Sequence, residues 1–437
     1  MKKFIIIALA AAFAAAACEK TPTRDLPVQV SVSLTYENGP FATEGITVSL
    51  ADLNGSASYQ AQTDASGTAL FSVLPGIYSA SATYSVSEGS DLFVYNGVNS
   101  NVAVSATGEN SFELNLVKSE SNQIIIKELY IGGCPKDDGS GYYHYDKYVI
   151  LYNNSAEEAT LTTDFCIGMC SPANSNATNK YYVGGVLSYT DWIPAYCSVW
   201  WFQEPVAIAP YSQVVVALNG AIDHTQTYSQ SVDLSSPEYY VTYAPEICTN
   251  VNYHPAPSAG IPTSHYLQTY KYNAFGNAWV LSNSSPAFFV FSTEGRTPSD
   301  FSQDPDVISE VNAAATDAMV PVEWVIDGIE VFRATYDAQN QKRLLPSVDA
   351  GHATFTSELG YTLYRNVDKE ATEALPENEG LLVYNYAGGT ESEAEGSTDP
   401  SGIDAEASIA NGAHIIYKDT NNSSNDFHQR RTASLRK

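Results

Sequence analysis

The 437 residues hold 21 Lys and Arg against 49 Asp and Glu, a formal charge of −28 at pH 7, and 44% of them are hydrophobic. The apolar share excludes a disordered chain, and the length suits two or three domains. So acidic a surface repels nucleic acid, which is not an expected partner. At the start, Lys2 and Lys3 precede an apolar run from Phe4 to Ala14, and Ala15, Ala16 and Ala17 lead directly to Cys18. The run is too short for a stable bilayer span, and the order of parts is that of a secretory signal peptide over residues 1–17.

A cysteine at this point resembles the lipobox of bacterial lipoproteins. The resemblance implies cleavage before Cys18 and attachment to a membrane through lipid on Cys18. It places the mature chain in the cell envelope, at the outer membrane. Ala15 departs from the Leu that the family prefers. Loss of the leader, which carries two Lys and no acid, leaves a formal charge of −30. Residues 18–27 are polar, contain Pro22 and Pro27, and read as the lipidated tether.

From Val28 the pattern has a period of two: Val28, Val30, Val32, Leu34 and Tyr36 alternate with polar residues. Such a strand buries one face. Turn signals recur at Glu37–Pro40, Asp64–Gly67 and Leu74–Gly76. Short strands between Gly-bearing turns predict a small β-sandwich over residues 28–118. Gly45-Ile-Thr-Val-Ser-Leu50, Thr63-Asp-Ala-Ser-Gly-Thr-Ala-Leu-Phe71 and Leu74-Pro-Gly-Ile-Tyr78 are similar to the prealbumin-like fold of carboxypeptidase-regulatory-like and collagen-adhesin-stalk domains. That resemblance implies a spacer without catalytic residues.

After a polar joint at 118–123, a second series begins at Ile124 and continues through 146–155, 208–217, 325–331, 360–365 and 419–427. Its order resembles the lamin-tail domain, an immunoglobulin-like sandwich. Glu128, Tyr152, Asn153, Ser155, Pro210, Asp327, Arg365, Asp419 and Phe427 fall on the family's motif positions. Tyr211 stands where Gly is usual, and Val149-Ile150 replaces an Ile-Glu pair. The whole layout resembles a family of uncharacterised lipoproteins of Bacteroides-type bacteria, which brings no activity with it. The expected fold is therefore mostly β, with two β-sandwich domains at 28–118 and 124–437. The second carries insertions near 166–206, 219–321 and 369–412. The last of these holds the acidic run Glu391-Ser-Glu-Ala-Glu-Gly-Ser-Thr, expected to be a solvated loop.

No hydrolase signature or phosphate-cradling loop is present, so neither an enzyme nor a cofactor is expected. Five cysteines follow Cys18: Cys134, Cys166, Cys170, Cys197 and Cys248. They read as buried thiols, or as one Cys166–Cys170 disulfide if Gly168 turns the chain; a metal site is a further alternative. His144 lies in Tyr142-Tyr-His-Tyr145 near Asp137, Asp138 and Asp146, a hairpin loop that could also hold a cation. Arg430, Arg431, Arg436 and Lys437 make the end basic, as a tail lying on an acidic protein.

The chain has 30 Tyr and 5 Trp. Many suit sheet interiors, but the first two insertions concentrate Trp192, Trp200, Trp201, Tyr239, Tyr240, Tyr266, Tyr270 and Tyr272. Exposed rings offer large contact area at low entropic cost. These eight are the candidate ligand contacts. If 199–202 is a strand, Trp200 and Trp201 take opposite faces, and one points outward unless a further loop covers it. The expected function is a surface binding module for a glycan, an envelope protein or an outer-membrane transporter partner. A structural or adhesive envelope protein is the alternative, and a hydrolase with its site in the insertions is the third reading.

Overall fold

A computed structural model describes residues 26–436, apart from 56, 89–90, 273–275, 313–314 and 391–397. The leader, Cys18 and most of the acidic run lie outside the described residues. The fold is mostly β, and its sheets pack in layers. Among the described residues no helix is long and apolar enough to cross a membrane.

Alternation builds the first sandwich. Val28–Tyr36 turns Val30, Val32 and Leu34 inward and its polar residues outward. It pairs antiparallel with Thr68–Val73 and parallel with Ser111–Asn115. The facing sheet runs Ser58–Gln62, Thr47–Asp52, Gly76–Glu88, Asp91–Val104, Val117–Glu120. Val48, Leu50, Tyr78, Ala80 and Val102 meet the first sheet in a shared core. Glu37 and Asn38 have φ of 49° and 64°, the left-handed pair that closes a tight hairpin between Tyr36 and Gly39.

The larger unit is built around two six-stranded sheets. One has the order Tyr240–Val241, Gln213–Ala217, Tyr148–Asn153, Ile124–Tyr130, Thr362–Arg365, Phe427–Arg430. The other runs Gln268–Lys271, Ser198–Trp201, Phe165–Met169, Ala287–Ser292, Val325–Arg333, Ala353–Phe355. Ile126, Leu129, Val149 and Leu151 of the first meet Ile167, Phe288, Val290 and Ile329 of the second. The insertions thus differ from expectation. Segments within 166–206 and 219–321 are not additions to a closed sandwich, because they supply most of its second sheet. Both faces of that sheet's central strands, Phe165–Met169 and Ala287–Ser292, are covered. On the far side, Cys166, Val199, Phe289 and Phe291 pack under Ile193, Ala195, Ala318 and Val320, which belong to a three-stranded layer of Trp192–Tyr196, Ala315–Pro321 and Ile308–Asn312.

The cysteines follow from this burial. All five are free and buried. Gly168 does not turn the chain: Phe165–Met169 runs straight, with Gly168 opposite Phe289. Cys166 and Cys170 therefore stay apart. The His144 loop likewise gathers no cation site. Asp146 is buried and accepts from Tyr130 and Ser231, Asp137 accepts from Ser229, and Asp138 accepts from Ser140. Among the described residues no cluster of metal-ligating side chains occurs. The C-terminal segment is not a loose tail. Ser434 donates to the buried Glu128, Ala433 is buried, and Arg436 donates to Gly360 O at 3.0 Å.

An ion cluster closes the larger unit beneath its junction with the first sandwich. The buried Arg365 guanidinium bonds Asp327 and, at 3.1 Å, Asp419, and it lies 3.7 Å from Asp426. Its Nε donates to Ile126 O at 2.7 Å, and its plane sits 4.6 Å over the Phe427 ring. One cation serves three carboxylates. Burial pushes the Asp426 carboxyl up to about 7, with repulsion from Asp419 adding to the shift and Arg365 opposing it. In the unfolded chain an Asp titrates near 3.9. Between those values the folded state holds a proton that the unfolded state lacks. This group therefore favours folding as pH falls through about 7, and its contribution is lost as pH rises. The cost of Asp426→Asn should accordingly be smaller at about pH 8 than at about pH 5, by about 2–3 kcal/mol, in denaturant titrations at the two pH values. Equal costs would show that Asp426 titrates normally.

Candidate binding groove on the second sheet

The eight candidate aromatics fall into different environments. Trp200 is completely buried between the two main sheets, with Trp279 at 5.9 Å and His254 stacked at 6.5 Å. Trp201 faces the other way, as alternation requires, but it is also buried, under the three-stranded layer. The expectation that one of them points outward fails, because a third layer covers the outer face. Trp192 packs on Tyr181 and Tyr189 in a satellite core. Tyr240 stacks on His265 at 4.1 Å, half-buried Tyr239 packs against the apolar cluster of Val232, Leu234 and Val241, and the Tyr272 hydroxyl donates to Ala195 O at 2.8 Å.

Tyr266 and Tyr270 behave differently. With one side of Trp201 they line an open groove of about 680 Å³. Its wall is the Gln268–Lys271 strand, which among the described residues is the edge of the second sheet and pairs with Ser198–Trp201. Period two sets the faces: Gln268 and Tyr270 are exposed, while Thr269 and Lys271 are half-buried. Tyr243 stands edge-on to Tyr266 at 5.4 Å and completes the aromatic surface.

Polar groups hold these rings in place. The Trp201 indole Nε1 donates to Gln268 Oε1 at 3.1 Å, which fixes the amide at the rim. Gln203 Nε2 donates to Thr263 O at 2.9 Å and to Tyr266 O, tying the 263–266 turn to the end of the Trp201 strand. Thr269 Oγ1 donates back to Val199 O at 2.7 Å. Among the lining residues Glu246 is the one charged side chain. The groove therefore offers tyrosine rings, amides and hydroxyls with little charge. A single carboxylate also leaves the paired-acid chemistry of glycoside hydrolysis without its second member there. Gln203, Tyr243 and Gln268 escaped sequence reading. Isolated amides carry no spacing signal, and Tyr243 looks like any other strand tyrosine.

A larger cleft, about 990 Å³, lies where the two units meet, lined by Ser85, Asn122, Asn154, Asp368, Asp419 and Asn425 among others. Its polar groups already bond across the junction. Asp419 Oδ2 accepts from Ser121 Oγ at 2.7 Å and from Asn122 N, and Asn425 Nδ2 donates to Thr83 Oγ1. The cleft is the polar seam between the units.

No curated protein matches the chain. The crystal structure of a DUF4876 family protein from Bacteroides thetaiotaomicron has 19% identity and a TM-score of 0.50, over 92% of this chain and 95% of that one. At that identity the likeness shows a common fold and no more. The major pilin subunit of Bacillus cereus has 12% identity over 70% of this chain and 94% of its own, with a TM-score of 0.15 that carries no argument. Residues 209–384, which include the groove residues from Tyr243 to Ser299, match the family described as protein of unknown function DUF4876.

Proposed function

We propose that the protein is a lipid-anchored cell-envelope binding module whose groove takes a neutral glycan chain. The leader of residues 1–17, followed directly by Cys18, supports the anchor and an outer-membrane location. The prealbumin-like pattern of residues 28–118 suits a spacer, and the lamin-tail-like pattern of 124–437 suits a rigid frame for display. The observation that carries the ligand class is the groove itself. Tyr266 and Tyr270 line it beside amide and hydroxyl groups and one acid, and tyrosine rings are surfaces on which the C–H face of a sugar stacks. Rigid rings flanked by hydrogen-bonding side chains make an economical contact surface. An extended peptide is the second reading, favoured by one observation: among the described residues the Gln268–Lys271 strand is the outermost of its sheet, and edges accept added strands.

A glycan array probed with the intact protein tests the first reading. Tyr270 is 37% exposed, so its removal should spare the fold. Tyr270→Ala should weaken the best array ligand by about 2 kcal/mol, roughly thirty-fold, with an unchanged melting temperature. Binding that survives Tyr270→Ala and Tyr266→Ala together would remove the groove as the site. An array without hits, alongside an extended peptide that binds and is lost with these variants, would favour the second reading.

A further inference from the structure

The first sandwich has two unlike ends. Toward one end it is bonded to the larger unit: Asn96 Nδ2 donates to Thr420 O, Asn421 Nδ2 to Ser119 Oγ, and Asn425 Nδ2 to Thr83 Oγ1. The chain enters at the other. Val28 pairs with Val73 and Gly76 with Val104, so the first strand opens beside the 73–76 turn. Leu53 N donates to Ile77 O, which brings the turn after Asp52 to the same end. Thr83 lies seven residues further along the Gly76–Glu88 strand than Gly76, about 23 Å away.

Apolar exposure is confined largely to the entry end. Six large apolar side chains are exposed among the described residues 26–120, and four of them are here: Leu26 at 78%, Leu53 at 52%, Leu74 at 43% and Ile77 at 43%. Leu70 and Val98 are the other two. The outward positions of the strands are otherwise mostly Ser, Thr, Gln and Asn, so this rim is not the ordinary surface of the domain. The loops at this end, 52–57, 73–76 and 104–110, hold Asp52 and Glu109 and no Lys or Arg. Charge therefore cannot draw this end to anionic headgroups, and contact between apolar side chains and the upper acyl region is what the surface offers.

We infer that the entry end of the first sandwich docks on the lipid bilayer, with Leu53, Leu74 and Ile77 seated among the headgroups. This inference rests on the anchor at Cys18. Leu26 lies eight chain steps beyond Cys18, a span of at most about 29 Å at full extension, so the acyl chains keep this end beside the membrane. The larger unit, bonded to the opposite part of the sandwich, then stands away from the lipid.

The five cysteines after Cys18 are buried, so one introduced thiol can be labelled selectively in the lipidated full chain. An environment-sensitive fluorophore is placed at Leu74→Cys or, as a control at the far end, at the exposed Glu44→Cys. Each protein is bound to phosphatidylethanolamine vesicles containing a doxyl-labelled phospholipid, and the vesicles are floated. The label at 74 should be quenched several-fold more than the label at 44. Adding Leu53→Ser and Ile77→Ser should reduce that quenching without releasing the protein. Protein that floats with both labels equally unquenched would overturn the docked rim and leave the anchor standing. Full-length protein that does not float would overturn the anchor and the docking with it.

Discussion

Arg365→Met should cost about 3–5 kcal/mol of stability, because it leaves buried carboxylates without their counter-charge. Asp327, Asp419 and Asp426 are all buried, and they share that one guanidinium. Asp327 also accepts from Ile126 N at 2.6 Å, and Asp426 accepts from Thr420 N at 2.9 Å. Asp327 and Asp426 are thus fixed to the backbone of two different segments. Met keeps much of the volume of Arg, so a cavity is not the cause of the loss. Arg365→Lys retains charge but not the planar fork that reaches Asp327, Asp419 and Ile126 O together, and it should fall between the two. A domain stable by about 5–15 kcal/mol would be left with a small margin by the Met variant. Guanidinium titration of the three proteins measures it. A cost of the Met variant below about 1 kcal/mol, the size of an exposed pair, would mean that the cluster is wet.

Four members of this cluster stand out in the sequence, although their contact does not. Asp327, Arg365, Asp419 and Phe427 lie up to a hundred residues apart, and sequence reading set them on one ordered pattern; the structure brings them into a single contact. The first sandwich was legible for a different reason. Its strands have one wet face, so Val30, Val32 and Leu34 alternate with polar residues. The second sheet of the larger unit was not legible. Phe165–Met169 and Ala287–Ser292 are covered on both sides, and a strand without a wet face has no alternation to read. Such runs look like the contents of loops, and that is how residues 166–206 and 219–321 came to be read as insertions. The buried pair of Glu330 and Arg343 was equally silent. Arg343 bonds Glu330, Pro172 O and Ser285 O, yet nothing near it in sequence marks an arginine as interior. For the groove, Tyr266 and Tyr270 stood out as a cluster. The partners that orient them come from a turn and from an edge strand whose pairing only the fold reveals.

The same correction fixes what the tryptophans should do. Trp200→Ala should destabilise the protein by about 3–5 kcal/mol, through lost apolar contact and the cavity left behind. Its ring is fully buried against Trp279 and His254, and its Nε1 has no hydrogen-bond partner among the described residues, so the loss is one of packing. His254 contributes as a neutral ring: burial lowers its basicity, Nδ1 donates to Thr242 O, and Nε2 accepts from Trp279 N. The folded fraction of Trp200→Ala should still bind with unchanged affinity, because nothing of Trp200 reaches the groove. Trp201→Ala should differ. It removes core contacts on the outer face, and it also frees Gln268 at the groove rim by deleting the Nε1 donor. Both stability and affinity should fall. Tyr270→Ala, with its ring at the surface, should lower affinity alone. Melting temperature and ligand affinity measured on the three variants give three distinct pairs of outcomes. If Trp200→Ala were to lose binding while keeping its melting temperature, the ring would have to face the ligand, and the two-sheet packing described for it would be wrong.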